Sequence, residues 1–392
     1  MRVVVAPDSF KGSLTAEEAA LHMEEGIHRA CSAIEVIKVP MADGGEGTVR
    51  ALVAATEGTL HQTLVTGPIG EAVVAEWGLL GDGSSTAVIE MAAASGLTLV
   101  PLHKRNPYYT TTFGTGQLIL AALDAGCRRM IIGIGGSATN DGGVGMAQAL
   151  GVQFYDCTGK AVEAGGLYLS KIADIDVSGM DPRVKNMEFV VACDVDNPLF
   201  GVNGAAVVYG PQKGATAEMV DVLDLGLQAY SRAIMRCLKM EVAAVPGSGA
   251  AGGLGAGLMA FLGAKLEKGI NIVCEALQLK EKIARADLVL TGEGQIDYQT
   301  VRGKTAWGVA QVASILGVPV IAIAGGIDQS AASANAGVFS AVFSLCCRPM
   351  DLDVAMQQAG DLIVQASYNV MRAVIEGKRM GRGEHCVSTE PD

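Results

Sequence analysis

Val3-Val4-Val5-Ala6 running into Pro7-Asp8-Ser9-Phe10-Lys11-Gly12-Ser13 is the stretch on which the reading of this chain turns. A short apolar run of this kind suits a strand buried on both faces, and Pro, Gly and Ser end it. The same pairing of apolar run and acid-bearing, mostly Gly-rich turn recurs four times. Val36-Ile37-Lys38-Val39 leads into Pro40-Met41-Ala42-Asp43-Gly44-Gly45-Glu46-Gly47-Thr48, and Ile131-Ile132-Gly133-Ile134 into Gly135-Gly136-Ser137-Ala138-Thr139-Asn140-Asp141-Gly142-Gly143. Val190-Val191-Ala192-Cys193 leads into Asp194-Val195-Asp196-Asn197-Pro198, and Leu288-Val289-Leu290 into Thr291-Gly292-Glu293-Gly294-Gln295-Ile296-Asp297. In open parallel sheets ligands bind beyond the carboxyl ends of the strands. Carboxylates, hydroxyls and bare amides at such ends suit a metal and a phosphorylated ligand, so the pattern points to an enzyme.

Composition narrows the class. At 392 residues the chain exceeds one ordinary core, which predicts two domains. A net charge of −12 without a long basic run argues against a nucleic-acid surface. The nine cysteines are an odd number with no C-x-x-C spacing, and they read as reduced, mostly buried thiols of a cytoplasmic protein. The five histidines show no metal-ligand spacing, and no apolar run reaches the ~20 residues of a membrane span.

The first 60 residues read strand, helix, strand, helix, with Thr15 capping a helix to about Ala30 and Glu46 opening a second helix to about Thr56. Residues 59–91 alternate apolar and polar with turns at Gly67-Pro68-Ile69-Gly70 and Gly81-Asp82-Gly83, the mark of an antiparallel meander. Helical patterns lie near 112–125, 141–150, 216–239 and 253–264. Strands at 287–291, 318–324 and 338–345 alternate with helices near 303–316, 328–336 and 352–377. The expected fold is α/β: a flavodoxin- or Rossmann-like parallel-sheet domain built from both chain ends, 1–60 plus 285–380, carrying an inserted mixed α/β domain at 61–284. Residues 383–392 read as a disordered tail.

Phosphoryl transfer needs donors around phosphates, a carboxylate-held Mg²⁺ and a group that orients the acceptor hydroxyl. The leading carboxylates are Asp8, Asp43, Asp194 and Asp297. Ser9, Ser137 and Asn140 are candidate donors, and Lys11, Lys213 and Lys304 candidate cations. Each also has a plain alternative as a cap, turn or surface residue. Gly247-Ser248-Gly249-Ala250-Ala251-Gly252-Gly253-Leu254-Gly255 suits either a phosphate wrap or a closely packed helix start. The methionines at 91, 146, 219, 235, 259 and 356 read as core filling. No Gly-x-Gly-x-x-Gly turn follows the first strand, which argues against a nicotinamide-dependent oxidoreductase.

The chain resembles the bacterial glycerate kinases of the first type over about residues 1–380. The segments that carry the resemblance are Ala6-Pro7-Asp8-Ser9-Phe10-Lys11, Ala42-Asp43-Gly44-Gly45-Glu46-Gly47, Glu90-Met91-Ala92-Ala93-Ala94-Ser95-Gly96-Leu97, the 133–143 stretch, Ala192-Cys193-Asp194-Val195 with Asn197-Pro198-Leu199, Gly210-Pro211-Gln212-Lys213-Gly214-Ala215 and Thr291-Gly292-Glu293-Gly294. The resemblance implies phosphorylation of D-glycerate with ATP and Mg²⁺, giving 2-phosphoglycerate in close relatives. It also implies a flavodoxin-like domain with an insert. The chain departs from the family at Gln295, where Arg is usual, at Asn106 and Gln117, where acids are common, and at Ala306-Trp307, where Pro-Ile is typical.

Residues and resemblance together assign Asp194, Lys11 and Asp8 to catalysis. Ser9, Asp43, Ser137, Asn140, Asn197 and Lys213 are assigned to substrate, and Gly135, Gly136, Gly252, Gly253, Glu293 and Lys304 to the nucleotide. Asp297 and Asp43 are assigned to the metal. The site is expected in a cleft that closes between the domains, in a monomer or homodimer that binds neither nucleic acid nor membrane. The open alternatives are 3-phosphoglycerate as product, a non-catalytic sugar-acid binding or regulatory protein, and a different anion-handling enzyme such as a phosphatase.

Overall fold

A computed structural model of the chain describes residues 1–42, 44, 45, 47–296, 305–328 and 337–381. The chain divides into two compact units, Met1–Asp43 with Cys274–Asp392, and Gly44–Val273. The tail at 383–392 and the helix expected at 328–336 lie outside the described residues, apart from Asp328.

The first unit is a five-stranded parallel sheet in the order Ala341–Ser344, Val320–Ile327, Leu288–Ile296, Arg2–Val5, Glu35–Lys38. Numbered along the chain, that order is 2-1-3-4-5, the flavodoxin-like winding. Helix Ala16–Ala30 starts at Thr15, whose hydroxyl accepts from the Glu18 amide while Glu18 reaches back to the Thr15 amide at 2.8 Å. It packs against helix Ala359–Gly381, and together they cover a core of Val3, Val5, Met23, Ile27, Leu290, Ile323 and Ile363. The helix expected over 352–377 is two helices, Leu352–Gln357 and Ala359–Gly381, interrupted at Gln358.

The strand expected at 287–291 runs on to Ile296, through a segment whose composition reads as a turn. Pairing with the next strand explains this. A side chain at Gly292 would stand 2.2 Å from the Ile323 carbonyl, and one at Gly325 2.6 Å from that of Gly294. The glycines allow the two backbones to stay close enough to hydrogen-bond through Ile296.

The second unit is built on a six-stranded sheet in the order Lys265–Glu267, Glu188–Ala192, Arg129–Gly133, Thr86–Glu90, Ala72–Leu79, Thr59–Thr66. The first four are parallel, and the last two complete the antiparallel meander. Residues 44–60 belong here rather than with the first sheet. Helix Thr48–Ala55 lies so close to strand Ala72–Leu79 that a Cβ at Gly78 would stand 2.3 Å from Val53, and the Val49 amide donates to Glu90 Oε1 at 2.9 Å. At the other boundary, helix Leu279–Ile283 packs on helix Thr305–Ile315 and so joins the first unit.

Of the eight described cysteines, all free, only Cys127 is buried, and Cys157, Cys346 and Cys347 are exposed. The expectation of mostly buried thiols is corrected accordingly: small apolar composition does not by itself place a residue in a core. Among the described residues no helix is long and apolar enough to cross a membrane.

The crossing of helices Ala16–Ala30 and Ala359–Gly381 yields a paired test. A Cβ at Gly26 would stand 2.4 Å from the Val364 carbonyl and 2.7 Å from Ser367 Cβ, whereas one at Gly377 meets nothing within 4 Å. Gly26→Ala gains up to ~1 kcal/mol of helix propensity but incurs overpacking of ~1–3 kcal/mol, so it is expected to lower Tm. Gly377→Ala is expected to hold or raise Tm in the same thermal melt.

Candidate active site

In the first unit the backbone carries the parallel ladder past the strand end. The Ala6 amide donates to the Leu290 carbonyl and the Asp8 amide to that of Gly292, both at 2.8 Å. That pairing fixes Asp8, whose carboxylate is 8% exposed, at the start of helix Thr305–Ile315. Its Oδ2 accepts from Thr305 Oγ1 at 2.6 Å and its Oδ1 from the Ser9 amide at 2.6 Å. A carboxylate is favoured at the positive end of a helix dipole. Beyond it the chain turns back on itself. The Phe10 amide donates to the Leu14 carbonyl at 2.8 Å and the Leu14 amide returns to that of Phe10 at 3.0 Å, around Gly12 at φ +79°. Lys11 stands exposed at this tip. Glu293, on the neighbouring strand, is buried. Asp8, Ser9, Lys11 and Glu293 all line one crevice of about 670 Å³ within this unit.

In the second unit, register decides the site. Glu90, Gly133, Ala192 and Glu267 are Cα partners across four successive parallel strands. The turns that follow them therefore leave from one edge of the sheet. After Gly133 come Gly135 and Gly136, both exposed, then the buried Ser137, Thr139, Asn140 and Asp141. After Ala192 comes Asp194, exposed, with Oδ1 accepting from the Gly269 amide at 3.0 Å. Gly44 packs at the same edge, its Cβ position 2.8 Å from both Ala192 Cβ and Gly269 Cα.

Lys213 lies beneath the 137–139 turn, 1% exposed. Its Nζ donates to Ser137 Oγ at 2.8 Å and to the Thr139 carbonyl at 2.7 Å. Burial pushes its pKa down from 10.5 to about 7, against the pull of the Asp141 charge. Asp141 is itself buried, which pushes its carboxyl pKa up. Four donors oppose that: the Thr112 amide and hydroxyl at 2.8 and 2.9 Å, and the Gly143 and Gly145 amides at 3.2 Å each. Asn140 is fully buried, and neither polar atom of its side-chain amide has a partner among the described residues. Such an orphaned amide costs ~1–3 kcal/mol, a cost that a ligand's hydrogen bonds would remove.

The glycerate kinase family model matches residues 3–375. The chain belongs to the glycerate kinase family. It is 53% identical over 368 residues to a glycerate kinase of Halalkalibacterium halodurans, covering 94% of this chain and 97% of that one. It is 51% identical over 379 residues to the glycerate 2-kinase of Escherichia coli K12, covering 97% and 99%. A crystal structure of a protein from Salmonella typhimurium LT2, provisionally named glycerate kinase 2, superposes with a TM-score of 0.89 at 48% identity over 97% of this chain and 99% of that one.

Within this family member the sequence-derived residues fall into separate groups. Asp8, Ser9, Lys11 and Glu293 converge in the first unit. Gly135, Gly136, Ser137 and Asp194 share the sheet edge of the second. Asn197 braces its own loop, donating to the Asn203 carbonyl at 2.8 Å and accepting from the Tyr209 hydroxyl at 2.6 Å. Gly252 and Gly253 are packing residues: a side chain at Gly252, φ +69°, would stand 2.0 Å from the Thr139 carbonyl, and one at Gly253 would meet Leu199 and Gly142. Of the family departures, Gln117 accepts from the Thr66 amide at 2.7 Å, as a carboxylate would, and Trp307 packs edge-on to Phe339.

Asp43, Asp297 and Lys304 lie outside the described residues. Among the described residues no three His, Cys, Asp or Glu side chains converge on a cation position. The described residues by themselves do not make a metal site.

Two features escaped sequence reading. Asp141 reads in sequence as one more turn residue after Asn140, and only its burial and four donors reveal it as the tie between the Thr112 loop and helix Val144–Ala149. Met356, which reads in sequence as core filling, lines the crevice with Leu345 and Met350.

Lys213 yields a pH test. Its native pKa lies below the unfolded value, so between about pH 7 and 10.5 the unfolded chain binds the extra proton. Stability from this group therefore rises with pH across that window, by up to about 1.4 kcal/mol per pH unit, and is flat below it. Urea denaturation at pH 6.5 and 9.5 is expected to show wild type gaining stability relative to Lys213→Met at the higher pH.

Proposed function

We propose that this chain transfers the γ-phosphoryl group of ATP to D-glycerate, giving 2-phosphoglycerate and ADP. The observation that carries the reading is Asp194, an exposed carboxylate whose Oδ1 accepts from the Gly269 amide, at the end of a strand whose neighbour ends in the exposed Gly135-Gly136 turn. The name of the 51%-identical relative from Escherichia coli, glycerate 2-kinase, supports the 2-position as acceptor.

In the proposed reaction the glycerate hydroxyl oxygen bonds to the γ-phosphorus as the bond from that phosphorus to the ADP oxygen breaks. Asp194 orients the hydroxyl and takes its proton. A carboxylate is a weak base near neutrality, which suffices because the loose transition state of phosphoryl transfer asks for little early deprotonation. Amides of the 135–137 turn and the Ser137 hydroxyl offer donors to the acid, and Asn140 a further amide. Lys213 acts through Ser137 and Thr139, holding the turn in shape. Lys11 supplies positive charge for phosphate oxygens, and Asp8 holds the Lys11 loop to helix Thr305–Ile315. Mg²⁺ is expected to accompany the nucleotide and to offset phosphate charge. The eight described cysteines, all free, support the cytoplasmic setting.

The test is an ADP-release assay with D-glycerate, ATP and Mg²⁺, with the product read by ³¹P NMR. A 2-phosphoglycerate resonance is expected. A 3-phosphoglycerate resonance would overturn the regiochemistry, and no glycerate-dependent ADP from folded protein would overturn the activity. Asp194→Asn is expected to lower kcat at least ~100-fold with nucleotide affinity near normal, the scale of a lost general base. An unchanged kcat would remove Asp194 from the role.

A further inference from the structure

The crevice of the first unit is too large and too apolar for a three-carbon acid. Its volume is about 670 Å³, within the range of pockets that hold drug-sized ligands. Its chemistry separates by chain segment. The strand-end loops contribute polar groups, Asp8, Ser9, Lys11, Ser13 and Glu293. The segment from 345 to 362 contributes Leu345, Met350, Leu352, Met356 and Leu362. Glycerate is a hydroxyl or carboxylate at every carbon and would gain little from that second lining. Leu352 is 73% exposed at the crevice, apolar surface that the flat face of an apolar ligand would cover.

Helix Leu352–Gln357, which carries Leu352 and Met356, is tied to the polar loop. Ser13 Oγ donates to the Met356 carbonyl at 2.7 Å, and Met356 Cε lies 2.8 Å from the Cβ position of Gly12. The two chemistries are thus held side by side in one unit, beyond the carboxyl ends of a sheet wound 2-1-3-4-5. Crevices at that end of such sheets bind nucleotides.

We propose that this crevice seats the nucleoside half of the phosphoryl donor. The purine lies against the Leu and Met side chains of 345–362, where unbranched thioethers adapt to a flat ring. The ribose hydroxyls donate to carboxylate and hydroxyl oxygens of the strand-end loops, and the phosphates extend toward Lys11. This assignment rests on the kinase reading for the identity of the nucleotide, and it places the base with the first unit rather than with the Gly252-Gly253 segment.

Cys346 lines the crevice and is exposed, so it reports occupancy. In a Cys347→Ser background of the full chain, alkylation by N-ethylmaleimide is followed by peptide mass mapping, with the exposed Cys157 of the second unit as reference. ADP at about ten times its Kd is expected to slow alkylation of Cys346 about tenfold and leave Cys157 unchanged. D-glycerate and inorganic tripolyphosphate are expected to leave both rates unchanged. Failure of ADP to protect Cys346 overturns the assignment whatever the ADP-release assay shows, and so does equal protection by D-glycerate or by tripolyphosphate. Protection by ADP without glycerate-dependent turnover upholds the crevice and overturns only the reaction. As a second measurement, Ala355→Phe, which narrows the crevice, is expected to raise KM for ATP about tenfold, a loss of about 1.4 kcal/mol, with KM for D-glycerate near its starting value. An equal rise in both overturns the assignment.

Discussion

Parallel strand pairing is the constraint on which everything else in this chain depends. A parallel pair cannot be closed by a tight hairpin, so each crossover returns the chain to the same starting edge and delivers every carboxyl end to the opposite edge. The register then matters more than the strands themselves. Pairing of Gly133 with Ala192, and of Val5 with Leu290, sets which turns share an edge. Asp194 and the 135–137 turn become neighbours in this way, as do Asp8 and Glu293, although their sequence separations are 57 and 285 residues.

The abundance of glycine follows from how tightly these layers close. At Gly26 two long helices cross with backbone against backbone, and at Gly252 a kinked helix start presses on the Thr139 carbonyl. Dispersion falls off steeply with separation, so contacts of this closeness give good packing without large side chains. That accounts for a chain that is half apolar and only 5% aromatic. It also explains why glycines that look like a phosphate cradle in sequence are packing residues in the fold.

The second unit stores its polar groups inside. Lys213 and Asp141 are both fully buried without a direct ion pair between them in the hydrogen-bond network, each instead holding backbone and hydroxyl groups of the turns above the sheet. Burying an ionisable group is costly, and such groups persist where they hold a specific shape. Here the shape is the 135–145 segment, whose exposed start at Gly135-Gly136 leads into a buried continuation tied from below.

The sequence by itself determined the α/β class, the pairing of both chain ends into one sheet, the meander and the family. These rest on local signals: apolar run length, the Thr15–Glu18 capping box and turn residues at fixed offsets, all read one segment at a time. Asp8, Lys11, Asp194 and Ser137 were legible as candidates because strand-end turns are few and chemically conspicuous. Only the tertiary structure decided what depends on long-range proximity. It separated exposed Asp194 from buried Asp141, set Lys213, assigned from sequence to substrate, beneath the 137–139 turn with its Nζ on Ser137 and Thr139, and brought Gly252 against the Thr139 carbonyl. It also extended the Leu288–Ile296 strand through a turn-like composition, because the glycines of two strands face one another. Burial and register are properties of pairs of segments far apart in the chain, and no window of sequence contains both members of the pair.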